Sequence, residues 1–220
     1  YSWPHNLYQV EFGNGIFVGV ATGDTSPNPA SSSKGSFFYT SLDGTNWTQR
    51  TYFDFGPAAF IHQFLVFLNG TFQELTDGGS QYGMVPISIT SDGTSYTTKF
   101  APTNAPNARS MAYGNGKYLL IEQSGKSWVS TDETNWVAEY GGFQNAFTQI
   151  IGGQSNLVAF GSGLPVLLSS DGLTFHAASN SPSGVLSAGA FDGTNYVGIG
   201  ATAQLGHPIT YIGEVYTSTN

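Results

Sequence analysis

One short passage recurs along this chain, and its recurrence limits the possible fold more than any other feature. An apolar run ends in Ser or Thr, an Asp-led turn follows, and an aromatic closes the passage. The copies are Ser41-Leu-Asp43-Gly-Thr-Asn-Trp47, Ser91-Asp92-Gly-Thr-Ser-Tyr96, Ser130-Thr-Asp132-Glu-Thr-Asn-Trp136 and Ser170-Asp171-Gly-Leu-Thr-Phe175. A fifth begins at Ser218-Thr-Asn220, and Tyr1-Ser2-Trp3 reads as its other half. Steps between the turn heads are 49, 40, 39 and 49 residues, so five steps of about 44 exhaust the 220-residue chain.

Each unit resolves into four β runs. The first ends at a Gly/Asn turn, as in Leu7–Phe12 before Gly13-Asn14-Gly15 and Ser110–Tyr113 before Gly114-Asn115-Gly116. Asn-Gly between apolar runs signals a tight hairpin, because both central residues need positive φ. A second run follows at once. The third leads into the Asp turn, and the fourth leaves it. No helical periodicity of useful length occurs. Four-stranded antiparallel units repeated in this way predict an all-β, five-bladed β-propeller forming a single domain. The blades are expected at about 7–53, 60–101, 109–141, 147–179 and 185–220, with residues 1–5 adding the strand that the last blade lacks.

Composition narrows the role. Charged residues are only 9% of the chain, with six basic against fourteen acidic and a net charge of −8. So few cations cannot neutralise a phosphate backbone, which argues against nucleic-acid partners. There is no cysteine, hence no disulfide or thiolate metal site. No apolar run approaches the ~18 residues of a membrane span. The low charge and abundant Ser, Thr, Asn and Tyr fit a secreted or cell-surface protein, read here as a piece of a larger exported chain.

At the Asp turns the sequence resembles the Asp-box (BNR) repeats of sialidase-like propellers. It is more similar still to exported bacterial arrays repeating YGNG…TSxDGxxW, matched best by Tyr113-Gly-Asn-Gly-Lys-Tyr118 through Trp136. The resemblance implies that the turns lie between third and fourth strands. It differs in one respect: Asp to aromatic is four residues, one shorter than in the sialidase box. Physically the turn is structural. A carboxylate at its head accepts backbone N–H bonds two and three residues on. Asp43, Asp92, Asp132, Asp171 and the terminal Asn220 are therefore expected to brace turns, with the aromatic packing between blades. Glu133, standing where Gly44, Gly93 and Gly172 stand elsewhere, predicts a different turn type at the third copy.

The resemblance does not extend to sialidase chemistry. Those enzymes grip a carboxylate with three arginines, and this chain has two, Arg50 and Arg109. Five-bladed propellers also host glycosidases with paired carboxylates over the central channel. Only Glu11 falls on an expected first strand, so no catalytic residue is assigned. The four histidines lie in different repeats without metal-ligand spacing, and neither a metal nor a cofactor is expected.

Connections after the second strands are unequal, being long in blades one, two and five (Thr22–Gly35, Asp77–Val85 and Thr202–Tyr211). They are expected to wall one side of the face opposite the Asp turns. Candidate ligand contacts there are Asp24, Asp77, Tyr82, Glu122, Gln123 and His207, joined by Arg109, Tyr140 and Phe143 from blade junctions. Aromatic faces with amides and carboxylates suit sugar rings, and the acidic balance favours neutral glycans or basic peptides over acidic sugars. The expected role is an exported binding module for a glycan or protein ligand. A glycoside hydrolase or lyase, and a structural module of an adhesin, are the alternatives.

Overall fold

Asn14, Asn69 and Asn115 have φ of 49°, 47° and 50°, and the glycines after them 77°, 77° and 74°. Two consecutive positive φ values reverse the chain in a two-residue turn whose twist matches the flanking strands. Register follows directly, with Gly13 opposite Ile16, Leu68 opposite Thr71 and Gly114 opposite Lys117. The structure, a computed structural model, describes residues 7–24, 34–54, 61–78, 86–101, 108–122, 124–139, 147–161, 165–182, 185–204 and 210–219.

From these hairpins grow five antiparallel sheets, and among the described residues there is no helix. Blade one orders β1 (Leu7–Gly13), β2 (Ile16–Asp24), β3 (Lys34–Ser41) and β4 (Thr48–Asp54) from inside to outside. Blade two repeats the order with β5 (Ile61–Leu68), β6 (Thr71–Gly78), β7 (Pro86–Thr90) and β8 (Thr97–Phe100). In blade three the strands are β9 (Ala108–Gly114), β10 (Lys117–Glu122), β11 (Ser127–Ser130) and β12 (Val137–Glu139). Blade four holds β13 (Phe147–Gly152), β14 (Leu157–Gly161), β15 (Leu167–Ser169) and β16 (His176–Ala177). Blade five shows β17 (Val185–Phe191), β18 (Asn195–Gln204) and β19 (Thr210–Thr219). The chain is a five-bladed β-propeller. It divides into two compact units, Tyr1–Pro106 with blades one and two and Asn107–Asn220 with blades three to five. The expected addition of residues 1–5 to blade five lies outside the described residues. Fourth strands begin one residue past the aromatic, and the rings of Trp47 and Tyr96 bond back to the carbonyls of Gly44 and Gly93 in the turn.

Within each unit the core lies in the seams between consecutive blades. Val18, Val20 and Phe38 of blade one meet Leu65 and Phe72 of blade two. Leu119, Ile121 and Val129 of blade three meet Ile150, Leu157 and Ala159 of blade four. Ile151, Val158 and Phe160 of blade four meet Leu186 and Tyr196 of blade five. Alternate residues of β14 thus serve opposite seams, Leu157 and Ala159 facing blade three and Val158 and Phe160 facing blade five, as the period of a strand requires.

A polar clasp fixes the height of one blade against the next. Gln9 on β1 donates through Nε2 to the carbonyl of Leu65, at 2.5 Å, and accepts the Leu65 N–H through Oε1, at 2.8 Å. Gln149 on β13 repeats this on Gly189, at 3.1 and 2.9 Å. Ser110 on β9 does it with one hydroxyl, accepting the Ile150 N–H at 3.0 Å and donating to its carbonyl at 3.4 Å. Blade four also needs Gly152, because the Tyr113 carbonyl fills the space a Cβ would take.

Gln149→Ala strips both bonds from the inner strand of blade five. It is expected to cost about 1–3 kcal/mol, read as a lower melting temperature by calorimetry; an unchanged melting temperature would show that the clasp adds nothing.

Candidate functional site

The Asp turns share one face of each unit with the hairpin turns. Asn14 Nδ2 reaches from its hairpin to the carbonyls of Gly70 and Ser91, at 2.8 and 3.0 Å, and Asn115 Nδ2 reaches the Ser170 carbonyl at 2.6 Å. Inside the turns the expected bonds are present. Asp43 Oδ1 accepts the N–H groups of Thr45 and Asn46, at 2.9 and 2.8 Å. Asp92 does the same with Thr94 and Ser95, Asp132 with Thr134 and Asn135, and Asp171 with Leu173 and Thr174. The hydroxyls of Ser41, Thr90, Ser130 and Ser169 donate to the same oxygens. Asp192 makes an equivalent turn within the blade-five hairpin.

Glu133 corrects one expectation. Its φ is 59°, beside 75°, 68° and 74° for Gly44, Gly93 and Gly172, so the third turn has the same left-handed conformation as the others. Hydrogen bonds from Thr134 and Asn135 hold the geometry, and the non-glycine residue accepts the strain. The aromatics divide in their roles. Tyr96 packs across the seam on Phe38 and Phe53, with centroids 4.7 and 5.9 Å away, and Phe175 packs on the seam of blades three and four. Trp47 instead lies 6.4 Å from Phe17 of its own blade and donates to the Gly44 carbonyl.

Those turn bonds hold Asp43, Asp92 and Asp132 well below the usual carboxylate range and bring Asp171 down to about 2. Backbone N–H groups are the first cause in each. These carboxylates are ionised braces, not acids or bases poised for proton transfer near neutrality.

The innermost strands are where channel chemistry would sit. Glu11 on β1 has its carboxyl pushed up to about 7, first by burial and in opposition to a weak bond from Gln9. Gln9 Nε2 lies 3.5 Å from Glu11 Oε1. Among the described residues Glu11 is the one acidic side chain on an innermost strand. Glu74 on β6 is fully buried and accepts a 2.5 Å bond from Ser36 of blade one. Its charge adds to the effect of burial in raising the Tyr8 and Tyr96 phenols. Sequence reasoning gave Glu74 no seam role. The available signal was Gln73-Glu74 standing where blade one has Val18-Gly19 and blade three Leu119-Leu120.

The loop-bearing ends of the second strands hold part of the expected ligand set. Asp24 closes β2 opposite Lys34, and Asp77 lies opposite His62 near the end of β6. Arg109 is exposed near the start of β9. Glu122 is buried, with its carboxylate accepting from Trp128 Nε1 at 2.5 Å and from the Ser124 hydroxyl at 3.1 Å. It braces a tight turn closed by the 2.9 Å bond from Glu122 N–H to the Lys126 carbonyl. Lys126 Nζ sits 3.9 Å over the Trp128 ring. Tyr82, Gln123, Tyr140, Phe143, His207 and the turn residue Asn220 lie outside the described residues. No cluster able to hold a metal ion occurs among the described residues, and no helix is long and apolar enough to cross a membrane.

A cleft of about 720 Å³ opens between blades four and five. Its lining includes Val158, Phe160, Leu168, Leu186, Tyr196 and Tyr216. Nothing in the sequence points to it, because it arises from residues some forty positions apart.

No family model matches the chain, and no curated protein matches it. Solved structures do. It superposes on an acylaminoacyl peptidase of Pyrococcus horikoshii with a TM-score of 0.60 and 10% identity, over 97% of this chain and 37% of that one. YCF48 of Cyanidioschyzon merolae gives 0.53 and 14%, over 90% and 66%. An exo-β-1,3-galactanase of Phanerochaete chrysosporium, solved with β-1,3-galactotriose, gives 0.52 and 16%, over 94% and 59%. The chain spans less than two thirds of each of these proteins. At such identities the likeness defines the fold, a β-propeller shared by proteins of unlike activity.

Two titrations follow. Asp171→Ala is expected to cost about 1 kcal/mol at neutral pH, since the carboxylate is largely exposed. Its contribution is present above the ordinary carboxylate value and fades as pH falls toward 2, so wild type and variant should converge in acid melts. Glu11 has the opposite sign. Its raised value favours the fold below the ordinary carboxylate value, an advantage lost as pH rises toward 7. Glu11→Gln should therefore flatten stability against pH between about 4.5 and 7, measured by urea unfolding; an unaltered slope would show that Glu11 titrates normally.

Proposed function

We propose that this chain is an exported, non-catalytic binding module that engages a neutral glycan or a protein partner through the loop-bearing face of its blades. The observation that supports this reading most is the fate of the described carboxylates. Asp43, Asp92, Asp132, Asp171 and Asp192 are tied into turns. Glu122 and Glu214 are held by neighbouring donors, Glu74 accepts from Ser36, and Glu133 is buried within its turn. Among the described side chains Glu11 is the one carboxyl on an innermost strand, and hydrolysis by either geometry needs two carboxyl groups. Unequal connections after the second strands supply the diversity a binding face needs. In unit one these are residues 25–33 and 79–85, between strands held rigidly by the seam.

A hydrolase is the second reading, and Glu11 favours it. A carboxyl raised to about 7 suits a general acid, and a galactanase shares the fold.

An array of neutral and anionic oligosaccharides, read for binding and for released product, separates the two. Saturable binding of neutral glycans, or of a protein ligand, without cleavage is expected. Released sugar that disappears in Glu11→Gln would make the chain a hydrolase.

A further inference from the structure

Blades one and two enclose a recess of about 300 Å³ on their Asp-turn face, at the small end of the range of ligand pockets. Ile16, Leu42, Asp43, Asn46, Arg50 and Asp92 are among the residues lining it. These belong to the two Asp turns and the strand ends beside them, away from the connections 25–33, 55–60 and 79–85. The seam between blades three and four shows what occupies the same place there. Lys117, the first residue of β10, donates through Nζ to the Asp171 carbonyl at 2.9 Å. In blade one the first residue of β2 is Ile16, which carries no donor for the turn headed by Asp92. Asn14 and Asn115 pin the two turns alike, so the difference lies in that side chain.

The charges around the recess are not paired off. Arg50 donates through Nε to the Thr40 hydroxyl at 2.7 Å, and its Nη groups have no partner among the described residues. Asp92 commits Oδ1 to its turn, while its Oδ2 accepts no bond among the described residues. Asp43 Oδ2 takes the Asn46 amide at 2.7 Å and keeps a further lone pair. Leu42, 80% exposed, adds an apolar patch with Ile16.

We infer that this recess binds the terminal sugar of a neutral glycan. One guanidinium and two carboxylates border the same small space. An anionic ligand would meet Asp43 and Asp92, and a cationic one would meet Arg50. A sugar hydroxyl satisfies both signs at once, because it accepts from the guanidinium while donating to a carboxylate. The C–H face of the ring suits the Leu42 side chain. This site lies on the face opposite the loop-bearing connections, so it does not rest on the binding role proposed above.

The probes are D-glucose, D-galactose and D-mannose, each titrated into the isotopically labelled full chain and followed by NMR at the Arg50 Nε–H and the Asn46 side-chain amide. Saturable shifts with at least one sugar are expected, with a dissociation constant on the order of 1–10 mM. Arg50→Met keeps the stem and removes the donors, and should weaken binding about tenfold or more, read at Asn46. Asp92→Asn keeps Oδ1 for the turn and should weaken it similarly; melting curves confirm that each variant folds. No saturable shift with any of the three sugars, or equal binding by both variants, overturns the proposal. Tighter binding of acetate or of lysine amide at the same signals overturns the neutral ligand. Glycan binding through the loop-bearing face should survive both substitutions, so failure of one site is distinguishable from failure of the other.

Discussion

A four-stranded sheet of short strands has two apolar faces and cannot bury either alone. Consecutive blades bury them for each other, and the structure depends on that exchange. Apolar matching alone leaves two sheets free to slide along the seam. The side chains of Gln9, Ser110 and Gln149 remove this freedom, because each reads both the N–H and the carbonyl of one residue on the next inner strand. A slip of one residue would lose both bonds and present the wrong faces of every strand. The hairpin amides repeat the restraint at the rim.

Fold was legible in the sequence wherever the deciding interaction was local. Asn-Gly pairs and Asp-led turns complete their hydrogen bonds within four residues, so their residue types expose them directly. Glu133 shows the limit of that logic. Its turn keeps its shape because flanking bonds outweigh the missing glycine, and no local rule reports that balance. The clasps were invisible for another reason: Gln9 and Leu65 are 56 residues apart and Gln149 and Gly189 are 40 apart, and a glutamine in a strand looks like any polar alternation. Glu74 hid in the same way, since its partner Ser36 belongs to another blade.

The candidate site was less legible than the scaffold. Glu122 had the right composition for a ligand contact, yet its carboxylate is engaged by Trp128 and Ser124. Spacing places a residue near a face but does not say whether its hydrogen-bonding capacity is already used. Most other candidates sit on connections, where repetition stops and each blade differs. The scaffold recurs because its physics recurs; the connections are individual, and a repeat carries no information about them.

The hairpin amides carry a chemical vulnerability. Asn14 and Asn115 each precede a glycine, the arrangement in which a backbone nitrogen most readily attacks a side-chain amide and expels ammonia. Both amides donate to carbonyl oxygens of the following blade. Conversion to aspartate would turn each donor into an anion facing those oxygens, adding repulsion where there had been a restraint. Ageing of the protein would thus begin at the rim, loosening contacts between blades while leaving the strands themselves intact.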